Sequence, residues 1–278
     1  MEAKEGAFRG FNGAELFYRK VSKPEAAAKG AIIAVHGHGD HSGGLQNICD
    51  KLAENGYIVY AFDMRGHGRS PGIRGFIRTW DEYIGDLHAF REMAAADAPG
   101  LPLFIVAHSL GGVVVLDYAM QRGQGVSGLL LIAPAISYEA TLFEKMLIAC
   151  LGKLKPDFTK QQTGNADLLT QDPDILARLT SDPLRHNTVT PGLGFGLMRA
   201  VARITNGAHS IRTPLLLQYG LADKITPPAK LRQFFQAVGS ADKQQYEYDA
   251  MRHRPFDDVG REHFMAHMLS WLDRHIST

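Results

Sequence analysis

The sequence predicts an α/β fold in which a mostly parallel sheet carries helices on both faces. Short apolar runs alternate with longer helical stretches along most of the 278 residues. Several of these runs are apolar at every position, which is typical of strands buried on both faces. The alternation stops at Pro134 and resumes near residue 213. We therefore expect a core formed by 1–134 and 213–278, with a helical cap inserted at 135–212.

Each core element is delimited by turn residues. A hairpin around Asn12-Gly13 opens the chain, because that dipeptide favours a tight turn between two strands. The core strands are predicted at 31–35, 57–62, 103–107, 128–133, 215–219 and 244–249. The core helices are predicted at 46–55, 81–98, 110–122, 229–238 and 259–276.

Composition and the start of the chain exclude several classes of protein. The 30 basic and 29 acidic residues leave a net charge of +1, so no basic field is available to attract nucleic acid. The two cysteines are far apart in sequence, which excludes a disulfide scaffold and indicates a reducing compartment. The first residues do not form a signal peptide, and no apolar run approaches the roughly 20 residues that span a bilayer. We expect a cytoplasmic protein, with any membrane contact confined to its surface.

Ser109 is the candidate nucleophile, because it lies between a predicted strand and a predicted helix. A serine on such a sharp turn has a strained backbone and needs small residues two positions before and after it. Ala107 and Gly111 meet that need. The simpler interpretation is that Ser109 only caps the helix. The strand before it and the helix after it favour catalysis.

A serine hydroxyl needs a base, and the base needs an acid to orient it. In α/β hydrolases these residues follow in the order Ser, Asp or Glu, His. Asp223 follows the predicted strand 215–219, and His253 lies in the loop after the last strand. Among competing residues, His263 and His267 lie four apart on the terminal helix without an HExxH motif, which is more typical of a helix surface.

Four segments resemble the α/β-hydrolase superfamily, and most closely its monoglyceride lipase and bacterial lysophospholipase branch. Residues 36–42 resemble the motif His-Gly-x-Gly-Glu-His-Ser, with Asp40 in place of the glutamate. Residues 63–70 resemble Asp-x-x-Gly-His-Gly-x-Ser, and 107–112 resemble Gly-His-Ser-Met-Gly-Gly. The Gly-x-x-Asp segment that ends in prolines is matched at 220–227. The resemblance runs from about residue 8 to 275 and is weakest in the insertion.

This resemblance implies a triad of Ser109, Asp223 and His253, with the backbone N–H groups of His38 and Leu110 as the oxyanion hole. It implies hydrolysis of a single-chain lipid ester, either a monoacylglycerol or a lysophospholipid, through an acyl-enzyme and without metal or cofactor. A carboxylesterase, thioesterase or peptidase of the same fold is the alternative. A non-catalytic binding protein is a further alternative, although a site that no longer catalyses a reaction would usually have lost one of the three residues.

A zinc hydrolase is also compatible with part of the sequence. Residues 36–41 fit the His-x-His-x-Asp-His signature of metallo-β-lactamase-fold enzymes, which bind two zinc ions. The later ligands would then be His108, Asp223 and His253. The helix predicted at 110–122 argues against this alternative, because that fold places strands after its third histidine. A dinucleotide site at the same segment is disfavoured, because the third glycine is missing.

Two further segments allow more than one interpretation. The loop 66–78 and its flank carry four arginines, and we expect a solvated loop held by salt bridges, with an anion site for a lipid phosphate as the alternative. The first cap segment, 138–154, is rich in apolar residues, and it either packs on the core or lines an acyl tunnel and touches a membrane. Its lysines are Lys145 and Lys153, with Lys155 just beyond, a weak patch for anionic headgroups.

Overall fold

A computed structural model describes residues 2–23, 27–137, 142–164 and 166–276. Its centre is an eight-stranded sheet. The strands are β1 (Glu2–Arg9), β2 (Glu15–Ser22), β3 (Gly30–Val35), β4 (Tyr57–Phe62), β5 (Leu103–His108), β6 (Gly128–Ile132), β9 (Leu215–Gly220) and β10 (Lys243–Tyr248). Across the sheet the strands lie in the order β1-β2-β4-β3-β5-β6-β9-β10. Strands β1 and β2 pair antiparallel, as do β2 and β4, and every other neighbouring pair in this sheet is parallel. The mostly parallel sheet predicted from the sequence is confirmed.

Helices cover both faces of this sheet. They are α1 (Gln46–Glu54), α2 (Asp81–Asp97), α3 (Leu110–Arg122), α4 (Leu142–Leu154), α5 (Pro173–Ser181), α6 (Pro191–Gly207), α7 (Pro228–Ala237) and α8 (Arg261–His275). The terminal helix begins two residues later than predicted. Gly260 precedes it with a left-handed backbone, φ 84°, which is incompatible with the helix.

The strands are apolar throughout because each face of the sheet has its own core. In β6, Leu129 and Leu131 point into a core shared with α2, α3, α6 and α7. Leu130 and Ile132 point into the opposite core, shared with α1 and α8. Alternate residues of one strand therefore meet different helices, and a polar residue at any of these positions would be buried.

The segment between β6 and β9 adds helices above the sheet. Its described residues contribute no strand to the central sheet, and they form α4, α5, α6 and a two-stranded ribbon of β7 (Lys160–Gln161) and β8 (Thr188–Val189). Helix α6 packs against α3, and Arg203 pairs with the buried Asp117 at 2.5 Å. The boundaries of a separate cap at 135–212 stay a prediction.

Membrane-spanning structure is not found in the described part of the chain, where no helix has the length and apolarity required to cross a bilayer.

Candidate active site

Ser109 lies on a sharp, strained turn between β5 and α3. Its φ of 52° and ψ of −116° fall outside the regions that residues with side chains normally adopt. Two hydrogen bonds hold the turn: its N–H donates to the Ile132 carbonyl, and its carbonyl accepts from the Ala135 N–H, both at 3.0 Å. A Cβ at Gly111 would lie 2.5 Å from the carbonyl oxygen of His36, so only glycine fits there. The turn therefore depends on small residues, as predicted.

The structure brings Ser109, His253 and Asp223 into one continuous hydrogen-bond chain. The Ser109 Oγ is 2.9 Å from His253 Nε2, and His253 Nδ1 is 2.8 Å from Asp223 Oδ2. All three side chains are buried. Because β5, β9 and β10 are parallel, their carboxyl ends and the loops that follow lie at the same edge of the sheet. Residues 109, 223 and 253 therefore converge there despite their separation in sequence.

The Asp223 carboxylate is held by its own loop. Its Oδ1 accepts hydrogen bonds from the N–H groups of Ile225 and Thr226, at 2.7 and 2.9 Å. The Thr226 hydroxyl donates to its Oδ2 at 2.5 Å. Burial alone would raise the pKa of Asp223, but the neighbouring His253 and the Thr226 hydrogen bonds lower it. Asp223 is thus ionised near neutral pH and oriented toward the imidazole.

Thr226 is a site residue that the sequence reasoning missed. The only available signal was its position three residues after Asp223, where a hydroxyl can turn back toward the carboxylate.

The loop that carries His253 is anchored on both sides. The His108 ring lies 4.7 Å from the His253 ring, centroid to centroid, and its Nε2 is 3.0 Å from the His253 carbonyl oxygen. Burial lowers the pKa of His108 well below its ordinary value, so His108 is a neutral donor to that carbonyl. The next amide, that of Arg254, donates to the Leu169 carbonyl at 2.8 Å. The insertion between β6 and β9 therefore supports the histidine loop.

The amides of His38 and Leu110 face no acceptor within the described residues. Leu110 is the first residue of α3, and the first N–H groups of a helix have no partner inside the helix. His38 lies in the loop 36–42 that follows β3. This loop is covered by a later segment, because the His186 N–H donates to the Gly39 carbonyl at 3.0 Å. A Cβ at Gly39 would lie 2.1 Å from the His186 carbonyl oxygen, so the contact is close.

The side chains of segment 36–41 do not converge on a common point. His36 Nε2 accepts from the Met64 N–H at 2.9 Å, and its Nδ1 lies 2.7 Å from the carbonyl oxygen of the following residue. His41 Nε2 lies 2.8 Å from Asp182 Oδ2. In the part of the chain that the structure describes, no group of three or more His, Cys, Asp or Glu side chains is arranged to hold a metal ion. The geometry therefore gives no support to the zinc alternative.

The arginine-rich loop is tied to neighbouring elements by ion pairs of Arg65 with α2 and of Arg69 with Glu5 in β1. Arg65 pairs with the buried Asp86 at 2.6 Å, so the expected salt bridges are confirmed there.

Asp63 accepts from the N–H groups of Ser42 and Arg69, at 2.7 and 2.8 Å. Asp63 therefore orders both its own turn and the end of the loop 36–42.

Comparison with known proteins places this chain in a family. A family model described as "Serine aminopeptidase, S33" matches residues 26–259. A monoacylglycerol lipase of Mycolicibacterium smegmatis is 28% identical over 275 residues, covering 98% of each chain. The crystal structure of a Paleococcus ferrophilus monoacylglycerol lipase superposes with a TM-score of 0.85 at 32% identity, covering 94% of this chain and 99% of that one. A monoglyceride lipase from Saccharomyces cerevisiae, solved as a soluble variant with a substrate analog, has a TM-score of 0.88 at 26% identity, covering 97% and 94% of the two chains.

Three histidines beside the loop 36–42 predict acid sensitivity. The rings of His38, His67 and His186 pack with centroids 4.7–5.6 Å apart. Burial lowers the pKa of His38 to about 4 and that of His186 to about 3, and lowers that of His67 well below its ordinary value. An unfolded histidine titrates near pH 6.5, about two units or more above these folded values. The unfolded chain therefore binds more protons below about pH 6.5, and the free energy of unfolding decreases as the pH is lowered through that range.

Replacing one member of this group should weaken the pH dependence. Between pH 7.5 and 5.0, we expect His186→Gln to lose about 1 kcal/mol less free energy of unfolding than the wild type. A fully buried histidine contributes about 1.4 kcal/mol per pH unit below its unfolded pKa, and the half-buried His186 contributes less because solvent screens its charge. Urea denaturation at the two pH values measures the difference. The exposed His209 supplies the control, and His209→Gln should behave as the wild type. An equal decrease in the free energy of unfolding in all three proteins would contradict the role of His186 in acid sensitivity.

Proposed function

Because the chain belongs to the serine aminopeptidase S33 family, with the α/β-hydrolase fold of its solved relatives, we propose that it hydrolyses the ester bond of single-chain lipids. It is a serine hydrolase of carboxylic esters, as its relatives are. The substrate class is a monoacylglycerol or a lysophospholipid. The observation that carries the proposal is the unbroken hydrogen-bond chain from the Ser109 hydroxyl through His253 to Asp223.

His253 acts as the general base in the first step. Its Nε2 accepts the proton of the Ser109 hydroxyl as the serine Oγ forms a bond to the ester carbonyl carbon. Asp223 accepts the hydrogen bond from Nδ1–H, which fixes the tautomer that leaves Nε2 free to act as the base. The lowered pKa of Asp223 keeps it negative, so that it stabilises the imidazolium that forms.

The negative charge on the former carbonyl oxygen is stabilised by the N–H groups of His38 and Leu110. Leu110 opens α3, so the helix dipole adds to its N–H donation. A donor of this kind contributes about 3–4 kcal/mol in a comparable enzyme. The intermediate then collapses: the bond to the alcohol breaks, and His253 returns its proton to the leaving oxygen. Water repeats the sequence on the acyl-enzyme, releasing the fatty acid and free Ser109.

The exposed end of α4 supports a lipid substrate and peripheral membrane contact. Leu154 and Phe158 are 72% and 57% exposed, with Lys153 and Lys155 adjacent to Leu154 in sequence, and Met146, about two turns earlier in α4, is 65% exposed. We call these five residues the α4 patch. Exposed apolar side chains flanked by lysines suit the interface of an anionic bilayer, where a single-chain lipid ester would be found. The α4 side chains of residues 142–145 and 147 lie outside the described residues, as does all of 138–141. The predicted apolar face of the cap is therefore assessed only at this end.

Replacing the nucleophile tests the mechanism directly. We expect Ser109→Ala to lose at least about 10³-fold of kcat while keeping the wild-type circular dichroism spectrum, because only the attacking oxygen is removed. The assay is hydrolysis of a monoacylglycerol followed by fatty acid release. Retention of most of the activity in Ser109→Ala would contradict the proposed role.

A substrate panel run beside that variant separates the candidate activities. Monoacylglycerols, lysophospholipids, short p-nitrophenyl esters, acyl thioesters and aminoacyl amides would be compared by kcat/KM. The proposal expects the highest value on one of the two single-chain lipid esters. A higher value on short esters, thioesters or amides would favour the corresponding esterase, thioesterase or peptidase.

Substitution within the α4 patch tests membrane contact. We expect Leu154→Ser combined with Phe158→Ser to reduce binding to vesicles that contain anionic lipid by about tenfold or more. Each apolar side chain contributes about 1.5–3 kcal/mol when fully buried, so partial insertion of the two already accounts for a tenfold loss. Co-sedimentation with vesicles measures binding, and hydrolysis of a soluble short ester should be unchanged. Val259→Ser is the matched control, because Val259 is 63% exposed in a different part of the chain. An equal effect in the control, or none in the double variant, would exclude the patch.

A further inference from the structure

Arg254 is a buried cation directly beside the catalytic base. It follows His253 in sequence, and only 1% of it is exposed. Its Nη1 donates to Asp40 Oδ2, and its Nε donates to Asp257 Oδ2 at 2.8 Å. Its Nη2 donates to the Gly44 carbonyl at 2.5 Å. A guanidinium buried this completely is costly unless its donors are satisfied, and here each of the three nitrogens has an acceptor.

Asp40 connects that cation to the loop that carries the His38 amide. Asp40 lies two residues after His38 and is 1% exposed. Its other oxygen, Oδ1, accepts from Nη1 of Arg185 at 2.6 Å. One carboxylate thus joins the loop 36–42, the histidine loop and the insertion between β6 and β9. A Cβ at Gly44 would lie 1.9 Å from Asp40 Oδ1, so the chain leaves no room for a side chain against this carboxylate.

Electrostatics keep this network ionised. Burial alone would raise the pKa of Asp40, but the guanidinium groups of Arg254 and Arg185 hold it well below its ordinary value. Burial alone would likewise lower the pKa of Arg254, whereas Asp40 and Asp257 raise it. Moving Asp40 away from Arg254 would take from each of these buried charges one of its two ion-pair partners, leaving Asp40 with Arg185 and Arg254 with Asp257, which is unfavourable. The network therefore restricts changes in the distance between the loop 36–42 and the loop that carries His253.

We propose that Arg254 is a positioning residue that, through Asp40, fixes the oxyanion N–H of His38 relative to the base His253. The inference rests on the function proposed above, because it assumes that both groups act on one substrate carbonyl. His253 orients the attacking Oγ, and the N–H of His38 binds the developing oxyanion. The Oγ attacks the carbon and the N–H binds the oxygen of one carbonyl group, so the positions of His253 and His38 must match. An error of about 1 Å between such groups can cost about 100-fold in rate.

A second ion pair, in which only the carboxylate is buried, shows what a purely structural role would look like. Arg203 pairs with the buried Asp117 at 2.5 Å and joins α6 to α3. Asp117 lies eight residues after Ser109, roughly 12 Å along the helix. Removing Arg203 would therefore weaken packing without disturbing the two loops. Arg203→Met is the matched control for Arg254→Met.

The test compares kcat, KM and the response to a sulfur substitution in the substrate. p-Nitrophenyl butyrate and its thiono analogue, in which sulfur replaces the carbonyl oxygen, are hydrolysed by each variant. Sulfur accepts hydrogen bonds poorly, so an aligned oxyanion site prefers the oxygen ester. We expect Arg254→Met to lower kcat by about 10- to 100-fold, with KM within about threefold of the wild type, and to lower the oxygen-to-sulfur rate ratio. Arg254→Lys should recover part of kcat and part of the oxygen-to-sulfur rate ratio. A lysine restores a positive charge beside Asp40, but it lacks the planar guanidinium that also contacts Asp257 and Gly44.

The control and the contradicting results are specific. Arg203→Met should lower the thermal midpoint while leaving kcat within about twofold and the oxygen-to-sulfur ratio unchanged. If Arg254→Met retains the wild-type ratio and kcat, or loses no more kcat than Arg203→Met, the positioning role is wrong. If Arg254→Met fails to fold, Arg254→Lys and Asp40→Asn decide on the same two readouts. Failure of the proposed function itself would be seen separately, as activity of the wild type that survives Ser109→Ala.

Discussion

The close approach of α3 to the end of β3 is the constraint on which the rest of the site depends. The carbonyl oxygen of His36 lies where a side chain at position 111 would begin, so the first turn of α3 contacts the backbone after β3 directly. That contact holds the turn that carries Ser109 against the loop after β3. It also forces a positive φ on Ser109, a strain of about 1–3 kcal/mol that the surrounding hydrogen bonds must offset.

The remaining parts of the site are positioned by the parallel sheet rather than by local sequence. Parallel strands deliver their carboxyl ends to one edge, so the loops after β5, β9 and β10 meet although they are more than 100 residues apart at the extremes. Such loops carry many polar groups, and here a buried network satisfies them. Thr226 holds the Asp223 carboxylate, His108 holds the backbone of His253, and Asp40 joins Arg254, the residue after His253, to the loop after β3. Each of these contacts limits the movement of Asp223 or of the loop that carries His253.

Much of the fold and part of the candidate site were predictable from the sequence. Strands such as β6, which are apolar at every position, can only be buried on both faces, and this fixed the class of the sheet. The small residues around Ser109, and the order of Ser109, Asp223 and His253, identified the three side chains that the structure brings together. The cluster of histidines at 36–41 was ambiguous, because composition and spacing alone do not say whether imidazoles point at one another or at backbone groups.

The contacts that escaped prediction link segments that are distant in sequence and have no periodicity. Arg254 reaches Asp40 across 214 residues, and His186 covers Gly39 across more than 140. Nothing in the local pattern around Arg254 marks it as buried, because arginine is usually exposed. Attack by Ser109, with the oxyanion bound by the amides of His38 and Leu110, is tested most directly by a crystal structure of the protein treated with an alkyl fluorophosphonate. We expect phosphorus bonded to the Ser109 Oγ and a phosphonyl oxygen about 2.7–3.1 Å from both amides. Phosphorus on a different residue, or an oxygen directed away from those amides, would contradict it.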